Sequence, residues 1–178
     1  MSEEKKELWL NYLALTTVIL AVCATLSTFK GGSYSTRSVI SQAQASDQWA
    51  FFQAKSIRQS LYVTQQENLQ LEANLLPLDH AQQARAQYQT AIAGANAKIN
   101  KYEKEKNQIQ REARRLEKQR DEAQRHAQPF GLAVIFLQVA ILISSIAGLL
   151  KRKEIWYMAL PIGTLGLFYF ANGFWLFM

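Results

Sequence analysis

Few side chains in this sequence can do covalent or metal chemistry. There are two histidines, His80 and His126, and one cysteine, Cys23. Neither histidine has a second histidine or a cysteine at metal-ligand spacing, so both read as solvated positions on polar helices rather than a metal centre. Cys23 lies in an apolar run and reads as packing, and one cysteine excludes a disulfide scaffold. The sequence contains no glycine-rich phosphate loop and no serine or cysteine nucleophile motif. The expectation is a protein that is not an enzyme, with no catalytic residue, no cofactor and no metal. Binding chemistry is offered in two places. Trp49, Phe51 and Phe52, followed by Lys55 and Arg58, gather aromatic rings and cations in a short stretch. On a helix Trp49 and Phe52 share a face while Phe51 points elsewhere. The cluster fits packing, within a hairpin or between protomers, and it also fits contact with lipid or a partner protein. The second place is a stripe of small residues, Ala159, Gly166 and Gly173, at spacing seven, with Gly163 beside it and Pro161 nearby. Small residues let helices approach closely, so the stripe reads as a helix-packing face offered to a neighbour.

The elements that carry these residues follow from how charge is distributed. The chain has 178 residues, 49% apolar and 19% charged. Those averages hide three windows without any Asp, Glu, Lys or Arg: Leu8–Phe29, Phe130–Leu150 and Ile155–Met178. A bilayer core of about 30 Å is crossed by about 20 apolar residues in a helix, and each window is long enough. A soluble globular protein or soluble enzyme is therefore excluded, and three transmembrane helices are expected. Residues 1–29 form a tail and the first span. Residues 130–150 and 155–178 form the second and third, joined by the basic turn 151–154. The first window also has features of a secretory signal, with Lys5 and Lys6 ahead of it and Val22-Cys23-Ala24 as a cleavage site. Its length favours a retained span, and Val22 in place of a small residue before Cys23 argues against a lipoprotein. Trp9, Tyr12, Trp156, Tyr157, Phe174, Trp175 and Phe177 fall near span ends, where aromatic rings favour the headgroup layer. The spans carry polar groups, among them Asn11, Thr16, Thr17, Gln138, Ser144, Ser145, Thr164 and Asn172, which are expected to bond between helices. No ionisable side chain lies within them, which argues against a transport pathway.

Orientation follows from the basic residues in the short segments. Lys151, Arg152 and Lys153 in the turn, and Lys5 and Lys6 in the tail, all favour the cytoplasmic side. Three crossings make the two signals agree, and residues 30–129 are then periplasmic. Lys30, Arg37, Arg115, Lys118, Arg120 and Arg125 flank the spans on the opposite side, but long segments cross largely regardless of charge.

The central 30–129 segment carries fifteen basic and ten acidic residues, a net +5 of the chain's +6. Interleaved signs on a helix indicate a solvated face, and nucleic acid is not expected as a partner. Contact of Arg114, Arg115, Arg120 and Arg125 with anionic headgroups is compatible with this charge. The segment is rich in Ala, Gln, Glu, Lys and Arg, which form helices readily. Gly31-Gly32-Ser33 is expected to end the first span, and the turn 76–79 breaks the middle, with Pro77 stopping one helix and Asp79 capping the next. After that turn, every seventh residue from Ala81 (Tyr88, Ala95, Tyr102, Ile109, Leu116, Ala123) is apolar or aromatic. The companion line from Arg85 includes Ile92, Ile99, Lys106, Ala113, Arg120 and Ala127. Before the turn, the lines Ala43, Ala50, Ile57, Thr64, Leu71 and Asp47, Ala54, Leu61, Asn68, Leu75 show the same period. Heptads on both sides of a short turn predict an antiparallel helical, coiled-coil hairpin. Leu71 should then lie near Ala84 or Arg85, and Leu61 near Ile92 or Ala95. The seam is alanine-rich and interrupted by Arg85, Lys106 and Arg120, so partner helices from identical chains are expected to complete its burial.

The run from Ala45 to Gln59, Ala-Ser-Asp-Gln-Trp-Ala-Phe-Phe-Gln-Ala-Lys-Ser-Ile-Arg-Gln, resembles the signature of a bacterial membrane-protein family known as a domain of unknown function (four-three-three-seven). The resemblance covers nearly the whole length: an N-terminal span, this aromatic-basic stretch, a long helical middle and a C-terminal pair of spans. It implies an all-α membrane fold and a bacterial inner membrane, and no activity. The functional expectation is a non-enzymatic, homo-oligomeric scaffold, or an accessory subunit of a larger membrane complex, projecting a coiled-coil stalk from the lipid bilayer. The alternative is an oligomeric pore or membrane sensor, which ion flux through liposomes would distinguish.

Overall fold

The computed structural model describes residues 2–76 and 82–177, with side chains from residue 8 onward. Three helices account for almost all of it: α1 (Ser2–Leu75), α2 (Gln82–Leu150) and α3 (Lys153–Trp175). Among the described residues there is no strand. Pro77, Asp79, His80 and Ala81, on which the expected turn and cap rest, lie outside the described residues, as do the side chains of Lys5 and Lys6.

One expected break, at Gly31-Gly32-Ser33, is absent. Helix α1 runs through Gly31-Gly32-Ser33, and α2 runs through Pro129. A glycine costs a helix only about 1 kcal/mol relative to alanine. At Gly31 the missing side chain has a use, because a Cβ there would stand 3.0 Å from the Cβ of Phe130. Pro129 removes one helical hydrogen bond, at about 3 kcal/mol. The segment that follows it is held tightly, with Phe130, Ala133 and Leu137 all fully buried. By length and composition α1 and α2 are apolar enough to cross a membrane. Helix α3 has 23 residues, and Tyr157, Pro161, Thr164 and Asn172 make its most apolar stretch less apolar than those of α1 and α2.

The chain divides into two compact units. The first comprises Met1–Ile40 and Gln119–Met178. Its core is layered along the helices: Trp9, Leu13 and Ala147 form one cluster, and Leu20, Ala24, Ala133, Leu137 and Ala140 another. Trp9 is buried here, so it is not the lipid-facing anchor expected, whereas Tyr12, Tyr157 and Trp175 are exposed. The link between α2 and α3 is shorter than the expected four residues, only Lys151 and Arg152. Lys151 is left-handed (φ 52), its amide bonds the carbonyl of Gly148 at 3.3 Å, and the amide of Arg152 bonds that of Ala147 at 3.1 Å. This Schellman closure satisfies two orphan carbonyls of α2, and the basic side chains sit where the helix dipole is negative. The hydroxyls of the apolar helices mostly turn back on their own backbone. Thr16 and Thr17 donate to Leu13, Ser27 to Cys23, Ser145 to Ile141 and Thr164 to Pro161, at 2.8–2.9 Å. The expected bonding between helices is met at Trp156, whose indole N–H reaches the Thr16 hydroxyl at 3.4 Å.

The second unit is Ser41–Lys118. On α2 the predicted lines are the buried ones: Ala95, Ile109, Ala113 and Leu116 are enclosed, and Tyr88, Ile92, Ile99, Tyr102 and Lys106 are half-buried. On α1 the predicted register is wrong. All ten positions of its two lines, from Ala43 to Leu71 and from Asp47 to Leu75, are exposed. The enclosed face is the other one: Ser41, Gln48, Lys55, Tyr62 and Leu69 alternate with Ala45, Phe52, Gln59, Gln66 and Ala73. The reason is chemical. The α2 seam presents Tyr102, Glu103, Glu105 and Lys106, and only this more polar face of α1 carries partners for them. The expected neighbours of Leu61 and Leu71 are replaced accordingly: Tyr62 stacks on Tyr102, and Glu72 accepts from Tyr88.

Candidate interaction sites

Within Ser41–Lys118 the aromatic-basic stretch builds a lattice of rings and ion pairs. Lys55 extends its ammonium to Glu105 at 2.6 Å and lies 5.1 Å from the centre of the Phe51 ring and 5.4 Å from that of Tyr102. Lys106 answers from α2: it donates to the Gln59 amide oxygen at 2.7 Å, pairs with Glu103 at 3.6 Å and sits 5.3 Å from the Phe52 ring centre. The Gln59 amide nitrogen closes the circuit by donating to Glu103 at 2.8 Å. Each cation thus meets both a carboxylate or amide oxygen and a ring face, which compensates its partial desolvation. Lys106 is therefore not an interruption of the seam, since it is bonded across it. The rings of Tyr62 and Tyr102 stack at 5.7 Å, and Trp49 meets Phe52 edge-on at 5.5 Å. The Trp49 indole N–H donates to Glu117 at 2.8 Å.

These contacts perturb the acids. The hydrogen bond from Lys55 holds the Glu105 carboxyl below the usual range, helped by the charges of Lys55, Lys101 and Arg58 against an opposing desolvation. The bond from Gln59, then the charge of Lys106, does the same for Glu103. The bond to Glu72 raises the Tyr88 phenol.

Of the expected interaction residues, Trp49, Phe52 and Lys55 are drawn into this lattice. Phe51 remains half in solvent, its ring used on one side by Lys55. Arg58 is exposed, at the rim of a shallow cleft with Leu61, Tyr62, Gln65 and Tyr102. Sequence reasoning missed the partners Glu103, Glu105, Glu117, Gln59 and Tyr62. The α2 heptad line through Tyr102 and the neighbouring Lys106 held the signal, but using it required the α1 register.

The second expected site lies in the unit formed by Met1–Ile40 and Gln119–Met178. Ala159, Gly166 and Gly173 are buried against the chain's own helices rather than left for a neighbour. A Cβ on Gly166 would fall 2.7 Å from Leu137 Cγ and 3.0 Å from the Leu137 backbone nitrogen. One on Gly173 would fall 2.8 Å from the Phe130 ring, and one on Gly163 3.3 Å from Leu20. Phe130 is the hub: its ring meets Phe174 edge-on at 5.0 Å, with Phe170 and Tyr34 just beyond 6 Å. His126 is not a solvated residue. Its ring stacks on Tyr34 at 4.7 Å, and its Nδ1–H donates to the Gly173 carbonyl at 2.8 Å. That carbonyl belongs to the last turn of α3, where helical donors run out, so the imidazole acts as a side-chain cap. Among the described residues no cluster of three or more metal-ligating groups occurs.

No curated protein and no solved structure matches this chain. Residues 9–176 match the family model described as Domain of unknown function (DUF4337). That match spans the first apolar stretch, the aromatic-basic lattice and the glycine stripe of α3, so the chain belongs to the DUF4337 family.

Proposed function

We propose that this protein is a non-enzymatic integral protein of the bacterial inner membrane, and that it serves as a homo-oligomeric scaffold or as an accessory subunit of a larger membrane complex. It crosses the bilayer three times, with the N-terminus cytoplasmic and residues 30–129 forming a periplasmic antiparallel hairpin. The observation that carries the reading is the inside-out character of the unit formed by the two chain ends. Its interior is made of Gly, Ala, Ser and single large anchors, while Leu15, Val22, Ile135, Leu142, Met158 and Leu165 are roughly half exposed or more. Water does not tolerate a surface of that composition, whereas lipid tails do. The hydroxyls bonded to their own helices fit the same solvent. The pairs of the other unit support the hairpin, because their numbers run in opposite senses: Trp49 with Glu117, Gln59 with Glu103, Glu72 with Tyr88.

The test is a set of topology reporters combined with alkaline carbonate washing of native membranes. A reporter active only outside the cytoplasm should light up when fused after residue 78 and stay dark when fused in the 151–154 turn. The opposite pattern would invert the orientation. Release of the chain by carbonate would overturn the membrane reading altogether.

A further inference from the structure

Helix α1 carries two heptad faces on nearly opposite sides. The inner one, with Lys55 and Gln59 at its centre, is occupied by α2. Within residues 41–75 the outer one consists of two lines of period seven, Ala43 to Leu71 and Asp47 to Leu75, and every position on both lines is exposed. The outer face is the more apolar of the two. Its polar positions are Asp47, Thr64 and Asn68, and only Asp47 is charged. In the Ser41–Lys118 unit it leaves Ile57, Leu61, Leu71 and Leu75 between 62% and 83% exposed.

We propose that this outer face of α1 is a parallel coiled-coil seam for α1 of a second copy of the same chain. Three features select that occupant. A stripe that keeps a 3.5-residue period over five heptads is matched by another helix with the same period, and a second copy of the chain supplies one. Asn68 falls in one layer of the seam, and its amide, both donor and acceptor, is satisfied when it meets itself in register. An unrelated apolar helix would leave it unpaired. The outward face of α2 carries exposed Lys104, Arg111, Arg114 and Lys118, so copies approaching from that side repel. Parallel orientation rests on the membrane reading above, since two copies with one topology in one bilayer point the same way. Lipid does not reach this face, because on that reading residues 41–75 lie in the periplasm.

The seam is tested by disulfide trapping in native membranes, using the full chain with Cys23→Ala. In a parallel seam, residues of one line face their own copies, within the roughly 4.4–6.8 Å Cα separation that a disulfide bridges. Leu61→Cys and Leu75→Cys should therefore give mainly dimer on mild oxidation. Gln70→Cys, off the seam, and Lys104→Cys, on α2, should give mainly monomer. Adding Ile57→Glu should abolish the Leu75→Cys dimer, and adding Asp47→Leu should increase it. Equal trapping at all four positions, or none at Leu61 and Leu75, overturns the proposal. Carbonate washing of the same membranes separates the two readings. A chain that resists extraction but does not trap defeats the seam alone, and a chain that is extracted defeats the membrane reading whatever its trapping pattern.

Discussion

Replacing Gly166 by alanine isolates the close approach of α3 to α2. A methyl group there would lie 2.7 Å and 2.8 Å from Leu137 Cγ and Cδ2, and 3.0 Å from the Leu137 backbone nitrogen. Leu137 is fully buried, so its side chain has nowhere to swing, and a backbone atom moves only with its helix. Overpacking of this kind costs about 1–3 kcal/mol. The substitution also gains about 1 kcal/mol of helix propensity, and the backbone clash places the cost near the top of its range. The expected net loss is about 2 kcal/mol. For a chain of this size that lowers Tm by about 4–8 °C. Gly94 and Gly32 serve as internal controls, because a Cβ at either meets nothing within 4 Å. Gly94→Ala and Gly32→Ala should therefore leave Tm unchanged or raise it by a few degrees, at about 1 kcal/mol or less. The assay is thermal unfolding in mild detergent followed by far-UV circular dichroism, with chemical denaturation as a check. A Gly166→Ala protein as stable as Gly94→Ala would refute the packing of α3 on α2 through this glycine. A loss that appeared only on dilution, with the monomer unaffected, would mean that the glycine faces a neighbour instead.

The remaining predictions concern the Ser41–Lys118 unit and the end of α3. Glu105, Glu103 and Glu112 are all held below their ordinary range, by Lys55, by Gln59 and Lys106, and by Arg115 respectively. A depressed folded pKa contributes stability above the unfolded value and loses it as pH falls through the folded one. Tm should thus be flat near neutrality and fall below about pH 4.5, and Glu105→Gln should flatten that fall; an unchanged acid limb in the variant would count against the Lys55 pairing. Cysteines at Tyr62 and Tyr102, in a Cys23→Ala chain, should be joined by a short bifunctional reagent within one chain, whereas a Leu61 and Ile92 pair should not; the reverse outcome would restore the register read from apolar residues alone. Trp49→Phe keeps an aromatic ring against Phe52 and removes the bond to Glu117, so a loss of about 1 kcal/mol is expected in denaturant titration, and a variant as stable as the wild type would mean the bond contributes nothing. His126→Phe should retain stacking on Tyr34 yet loosen the last turn of α3, read as faster amide exchange around Gly173.

Much of the architecture was legible in the residues themselves. Charge-free windows and good helix formers require long helices whatever the fold, because a backbone in an apolar setting must satisfy its own hydrogen bonds. The seam of α2 was legible too, since Tyr88, Ala95, Tyr102, Ile109, Leu116 and Ala123 recur every seven residues and one partner helix covers one such line. The line even continues through Phe130, Leu137 and Ser144, all buried, on the far side of Pro129.

Which face of α1 turns inward was decided only in three dimensions. Two heptad faces compete on that helix, and an apolar count favours the one ending in Leu61, Leu71 and Leu75. The face that packs is the one whose Trp49, Lys55 and Gln59 find Glu117, Glu105, Glu103 and Lys106 on the other helix. That choice depends on pairs more than forty residues apart, and no single-helix pattern contains it. The glycine stripe divides the same way. Spacing seven indicates that something comes close to Gly166 and Gly173, but a missing side chain does not name what replaces it. The fold supplies Leu137 and the ring of Phe130, and with them a His126 imidazole bonded to the Gly173 carbonyl at the end of α3. The sequence alone had left that histidine in solvent.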